Sequence, residues 1–192
     1  MLKPEQELGL VCGIDEAGRG PLAGPVCAAA VILPGDWEPE GLDDSKKLRP
    51  SQREALYDLI TENALGWSVA FASEAEIDER NILQATFLAM RRALDGLPVK
   101  PDFALVDGNR DPGLGIRTRC EVKGDGRFAC IAAASVLAKV SRDRLMDELD
   151  VLYPQYGFIR HKGYPTKAHY AALAEYGPCP IHRRSFLKKV MK

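Results

Sequence analysis

The stretch LVCGIDEAGRGPLAGPVCAAAVIL, Leu10 to Leu33, decides the fold class. It holds two apolar runs, Leu10–Ile14 and Val26–Leu33, neither with a clear polar alternation. Short continuous apolar runs fit strands that are covered on both faces. Between them AGRGPLAGP is dense in glycine and proline, the composition of a tight turn or a bulged link. The first run stops on two adjacent acids, Asp15 and Glu16.

Working outward, Pro34 to Leu48 reads as loop. Ser51 to Leu65 reads as a helix, with Ser51 and Glu54 as a capping box and Leu56, Leu59 and Ile60 as its apolar stripe. Trp67 to Ala72 is expected to be a strand, and Asn81 to Leu94 a second helix closed by Gly96-Leu97-Pro98. Phe103 to Val106 is a short buried strand that stops at Asp107-Gly108-Asn109, and Arg117 to Val122 is another strand. Ala129 to Leu149 makes a long helix, rich in small residues at first and charged later. Thr166 caps a shorter helix that runs to Tyr176 and closes at Gly177-Pro178. Strands first, then strands alternating with helices, indicate an α/β domain with a mixed sheet. We expect residues 1–145 to form the catalytic body and 146–192 a basic helical extension packed on it as one unit.

A chain of 192 residues with 46% hydrophobic and 28% charged residues suits one globular domain. No apolar run approaches the roughly 18 residues of a membrane span. The start of the chain, with Lys3, Glu5 and Glu7, lacks the apolar core of a signal peptide, so a cytoplasmic location is expected. Five cysteines, an odd number without a CxxC pair, argue against a disulfide framework and a zinc site. Net charge is −1, but it is unevenly spread: from Val151 onward there are 8 Lys and Arg against Glu175 as the sole acid. A basic end on an acidic body suggests a phosphate-binding surface beside a carboxylate-rich site.

Four acids fall where strands end: Asp15, Glu16, Asp107 and, just before the long helix, Asp125. Strand ends in open α/β sheets are where sites form. Carboxylates brought together repel without a cation. Oxygen donors with no Cys or His favour Mg²⁺ or Mn²⁺ over zinc. Two such ions can clamp an in-line phosphoryl displacement. Taken singly, each acid serves equally well as a cap, a turn residue or a solvated charge. Asp15 and Glu16 also pose a geometric problem, since strand neighbours point to opposite faces.

Read as strings, the segments resemble the ribonuclease HII family. The blocks are Gly13-Ile14-Asp15-Glu16-Ala17-Gly18-Arg19-Gly20-Pro21, Asp44-Ser45-Lys46-Lys47-Leu48, Asp107-Gly108-Asn109, Lys123-Gly124-Asp125 and Ile131-Ala132-Ala133-Ala134-Ser135-Val136-Leu137-Ala138-Lys139-Val140 with Arg142-Asp143. Near the end come Tyr156-Gly157-Phe158, His161-Lys162-Gly163-Tyr164-Pro165-Thr166 and His182-Arg183-Arg184-Ser185-Phe186, all in the expected order.

The resemblance implies a ribonuclease H-like fold, a mixed five-stranded sheet flanked by helices with a helical C-terminal portion. It implies an endonuclease that hydrolyses RNA paired to DNA and incises 5′ of single ribonucleotides in duplex DNA; nothing in the sequence demands more than a monomer. Two divalent ions, Mn²⁺ or Mg²⁺, would be held by Asp15, Glu16, Asp107 and Asp125, and the products would carry 5′-phosphate and 3′-hydroxyl ends. Gly18, Arg19 and Gly20 match a loop that senses the ribose 2′-hydroxyl through main-chain groups, which glycine permits by its lack of a side chain. Tyr164 matches a tyrosine that packs on the nucleotide after the ribonucleotide. Ser45, Lys46, Arg49, Lys139, Arg142 and Lys162 are candidate phosphate anchors, while the roles of His161 and His182 stay open. The alternative from another class is a hybrid- or duplex-binding module without catalysis, distinguished by binding without a nick.

Overall fold

The computed structural model describes residues 1, 8–35, 37–43, 45 and 48–188. Five strands form one sheet: β1 (Val11–Ala17), β2 (Val26–Ile32), β3 (Gly66–Ala72), β4 (Phe103–Asp107) and β5 (Arg117–Glu121), in the order β3-β2-β1-β4-β5. β1, β2 and β3 pair antiparallel, whereas β4 and β5 extend the sheet in parallel from β1. The sheet is therefore mixed, as expected.

Both faces of β2 are covered, which explains its unbroken apolar sequence. Ala28, Ala30 and Ile32 pack toward α3 (Ile82–Asp95) with Ala85, Ala89 and Met90. Cys27, Ala29 and Val31 pack toward α4 (Ala129–Leu152) and α1 (Pro50–Asn63), with Ala133, Leu137, Leu56 and Ile60. The alanine run of α4 lets that helix lie close against the sheet. A Cβ on Gly13 would stand 2.1 Å from the Cys130 main chain, so only glycine fits there. α4 is continuous from Ala129 to Leu152 and so runs across the expected boundary at 145/146.

Two helix starts differ from expectation. α1 begins one residue before Ser51: Arg49 is its N-cap, Pro50 its first residue, and Gln52 Oε1 accepts the Arg49 N–H at 2.9 Å. Proline's preset φ and missing N–H suit that first position. A further helix, α2 (Glu74–Arg80), precedes α3. Ser73 and Glu76 form its capping box, with Ser73 N–H donating to Glu76 Oε2 at 2.8 Å. Its seven residues bury only Ile77, too weak a stripe to announce a helix.

After α4 come a short turn of helix, α5 (Phe158–His161), then α6 (Lys167–Tyr176) and α7 (Arg184–Leu187). Thr166 caps α6, accepting the His169 N–H at 3.2 Å. This region has its own small core of Leu22, Met146, Phe158, Leu173 and Leu187. It is tied to the loop between β1 and β2 by Leu22 N–H to Gly163 carbonyl (2.8 Å), Gly24 N–H to Ile181 carbonyl (2.9 Å) and Arg183 N–H to Leu22 carbonyl (2.8 Å). All five cysteines are unpaired thiols. Burial pushes the Cys12 and Cys130 thiols up to about 12, so they behave as small hydrophobes.

Candidate active site

β1 and β4 are parallel neighbours, so their C-terminal ends open on the same edge of the sheet. There they deliver Asp15, Glu16 and Asp107 to one cavity of about 220 Å³. Asp15 is buried, 3% exposed, on the α4 face, where the Ser135 hydroxyl bonds its carboxylate. Ser135 Oγ lies 2.8 Å from Ser45 Oγ, and both serines line the cavity. Glu16 leaves the strand on the other side, yet it lines the same cavity. The pleat's alternation is thus no obstacle. Glu16 N–H donates to Asp15 Oδ1 at 2.7 Å, and Arg19 Nη1 pairs with Glu16 Oε1 at 3.3 Å.

Asp107 is held by the turn after β5: Gly124 N–H donates to its Oδ1 at 2.7 Å. Asp125 follows in that turn. It is buried, its Oδ1 accepts the Gly126 N–H at 3.0 Å, and its own N–H lies 3.5 Å from Asp107 Oδ1. Asp125 is adjacent to the cavity but not among its lining residues. Among the described residues, no three His, Cys, Asp or Glu side chains stand together as a ready-made metal cage. Each carboxylate is instead engaged by a neighbour: Asp15 by Ser135, Glu16 by Arg19, Asp107 by Gly124 and Asp125 by Gly126.

The donor chemistry nonetheless fits a hard divalent ion. The cavity offers carboxylate and hydroxyl oxygens and no Cys or His. Burial first, then the charges of Glu16 and Asp107, raise the Asp15 carboxyl well above the ordinary carboxylate value. A cation among these three groups would reverse that stress by replacing the proton.

The same cavity is lined by Gly18, Arg19, Gly20 and Tyr164. Tyr164 is 40% exposed, and a Cβ built on Gly20 would lie 3.5 Å from its Cε1. Gly18 has φ +91°, and a Cβ on it would stand 2.0 Å from Arg142 Nε. Glycine is required there on both counts.

The phosphate-anchor candidates divide. Lys139 lines the cavity and pairs with Asp143 at 2.7 Å. Ser45 lines it too, while Lys46 lies outside the described residues. Arg49 is exposed at the start of α1, and Lys162 pairs with Asp147; neither lines the cavity.

Arg142 is a correction. It is 1% exposed, and it donates to the carbonyls of Pro25 (Nε, 2.9 Å), Ala23 (Nη2, 3.1 Å) and Lys162 (Nη1, 3.0 Å). Three of its five N–H groups go to main-chain carbonyls, and the buried side chain has no exposed face for a phosphate. Spacing along α4 put it near Lys139, but the helix turns it under the glycine loop.

Arg183, which sequence reasoning gave no role, is its counterpart. Fully buried, it donates to the carbonyls of Gly24 (Nε, 2.8 Å), Arg19 (Nη1, 3.0 Å) and Gly18 (Nη2, 2.6 Å). Burial, then the Arg142 charge, pushes its pKa down to about 9. Two guanidiniums therefore clamp the loop that carries the glycines. No local motif marks either as buried; only long-range packing does.

The model of the family described as Ribonuclease HII matches residues 12–189. The chain belongs to the ribonuclease HII family. A ribonuclease HII of Dechloromonas aromatica is 62% identical over 93% of this chain and 91% of its own length. The crystal structure of ribonuclease H2 from Pyrococcus horikoshii superposes with a TM-score of 0.76 at 30% identity, covering 91% of this chain and 92% of that one. The ribonuclease HII of Archaeoglobus fulgidus, solved in complex with PCNA, gives 0.77 at 28% identity over 91% and 94%. The ribonuclease H-like fold is thereby shown, and the chain is an endonuclease of the hydrolase class. The family's activity is hydrolysis of RNA in RNA–DNA hybrids. No helix among the described residues is long and apolar enough to cross a membrane.

Proposed function

We propose that this protein cuts the RNA strand of RNA–DNA hybrids and also incises 5′ of single ribonucleotides in duplex DNA, leaving 5′-phosphate and 3′-hydroxyl ends. The observation that carries this reading is the lining of one cavity, which combines three carboxylates with the Gly18-Arg19-Gly20 loop and Tyr164.

Asp15, Glu16 and Asp107, with Asp125 behind them, would hold two divalent ions, Mg²⁺ or Mn²⁺. Bound there, such ions lower the pKa of water and stabilise the leaving oxygen. The chain's own residues do the rest. Ser135 and the Glu16 N–H orient Asp15, and the Gly124 N–H orients Asp107. The glycine loop brings main-chain groups close to the sugar, where the 2′-hydroxyl distinguishes RNA from DNA. Tyr164 packs on the next nucleotide. Lys139 and Arg19 neutralise phosphate charge at the rim, so affinity falls as salt rises.

The test is a labelled DNA duplex with one ribonucleotide, incubated with Mg²⁺ or Mn²⁺. One internal nick 5′ of the ribonucleotide, with the stated ends, is expected. Binding without a nick, or cyclic phosphate ends, would refute the proposal.

A further inference from the structure

The three histidines of the basic tail lie outside the cavity lining and pack on one another. His161 stacks on His169 with ring centroids 4.6 Å apart, and His169 Nε2 lies 3.0 Å from His182 Nε2. His169 and His182 are 0% and 2% exposed, so neither reaches a phosphate. Phe158 and Tyr156 wall the pair on one side, and Cys179 closes the far end.

The partners at each end place the protons. A main-chain N–H only donates and a carbonyl only accepts. Cys179 N–H donates to His182 Nδ1 at 3.0 Å, so a neutral His182 carries its proton on Nε2. His169 Nδ1 lies 3.0 Å from the Tyr164 carbonyl, so His169 carries its proton on Nδ1 and offers a lone pair at Nε2. The contact between the two Nε2 atoms is then a hydrogen bond from His182 to His169. The chain runs in one direction, from Cys179 N–H through both rings to the Tyr164 carbonyl. A second proton on His182 would set N–H against the Cys179 N–H. On His169 it would set N–H against N–H between the rings. Burial, then His169, pushes the His182 pKa down to about 4, and burial lowers that of His169, which keeps both rings neutral.

Tyr164 stands on a sharp turn: Lys162 and Gly163 before it have φ of 49° and 82°. Its N–H donates to the His161 carbonyl at 2.8 Å. Its carbonyl is shared between the Thr166 N–H (2.9 Å) and His169. We propose that His182 and His169 form a positioning relay that holds the Tyr164 main chain, and with it the ring, at the depth beside Gly20 where it meets substrate. This rests on the reading of Tyr164 as the residue that packs on the nucleotide.

Two measurements on the full chain test it. Ring nitrogen correlations on ¹⁵N-histidine-labelled protein at neutral pH should show His169 protonated on Nδ1 and His182 on Nε2. A charged ring, or the opposite tautomer at either residue, overturns the relay. In the one-ribonucleotide duplex assay, His169→Leu should raise KM about five- to tenfold with kcat changed less than about twofold. His169→Asn, whose amide N–H replaces Nδ1–H but leaves the His182 Nε2–H without its acceptor, should recover KM in part, whereas His169→Gln, with its amide one atom further out, should not. If the leucine variant fails to fold, the Asn and Gln pair decides alone. In a Tyr164→Ala background, His169→Leu should add nothing. Full additivity there, with Tyr164→Ala itself raising KM, overturns the relay only. A Tyr164→Ala variant with unchanged KM and the expected tautomers overturns the reading of Tyr164, and with it the purpose of the relay.

Discussion

Replacing Arg183 with methionine keeps most of the buried side-chain volume and removes the guanidinium. The three bonds lost, to the Gly18, Arg19 and Gly24 carbonyls, are 2.6, 3.0 and 2.8 Å long. Hydrogen bonds from a charged donor contribute about 1.5–3 kcal/mol each, and the carbonyls left behind would be buried without partners. Opposing this, the variant relieves the cost of burying a cation beside Arg142, the cost that pushes the Arg183 pKa down to about 9. Three carbonyls stranded at about 1–3 kcal/mol each, less that relief, leave a net loss of about 3–5 kcal/mol. In a chain of this length each kcal/mol moves Tm by about 2–4 °C, so Tm should drop by roughly 6–20 °C. Urea unfolding reads the stability. Cleavage of the one-ribonucleotide duplex, below the new transition, reads the loop: KM should rise more than kcat falls. A loss under about 1 kcal/mol with wild-type KM would refute the clamp, because it would mean that the loop holds its carbonyls by other means.

Other outcomes follow from the same structure. A carboxyl whose folded pKa is raised, as that of Asp15 is by burial, Glu16 and Asp107, costs stability above that pKa, and the cost fades as pH falls to the unfolded value. Asp15→Asn should therefore stabilise the metal-free protein by about 1–2 kcal/mol at neutral pH, lose that advantage in acid, and abolish cleavage. His182 behaves oppositely: its folded pKa is depressed from 6.5 to about 4, so its contribution is intact above 6.5 and fades as pH falls toward 4. At 1.36 kcal/mol per unit, unfolding free energy should drop by about 3 kcal/mol across that window, and His182→Asn should flatten this part of the profile. Gly18→Ala combines a φ of +91° with a Cβ 2.0 Å from Arg142 Nε, and should lose about 2–4 kcal/mol by urea unfolding together with cleavage. Asp107→Asn should bind hybrid yet leave it uncut in a gel-shift and cleavage pair.

Much of the fold was legible because local signals agreed. The apolar runs of β1 and β2, the capping Thr166 of α6 and the small-residue face of α4 each point to the element observed. Where local signals were weak or ambiguous, legibility failed. α2 buries one residue, and Pro50 outcompetes the Ser51 box for the start of α1. In the site, Asp15, Glu16 and Asp107 could be picked out as acids at strand ends, and the ordered motifs marked the glycine loop and Tyr164. Arg142 was expected to anchor phosphate from its place near Lys139, yet it is buried, because the carbonyls of Ala23, Pro25 and Lys162 take its donors.

What the chain order alone determined is the list of elements and the residue types gathered at strand ends, since hydrophobic period, caps and turn residues act over a few positions. Tertiary structure decided the rest. Parallel pairing of β1 with β4 brings Asp107 beside Asp15, 92 positions away in the chain. The tail folding back on Leu22 to Gly24 buries two arginines and two histidines that look solvated in sequence. A side chain's exposure and the direction of its donors depend on neighbours remote in the chain, and no local pattern encodes them.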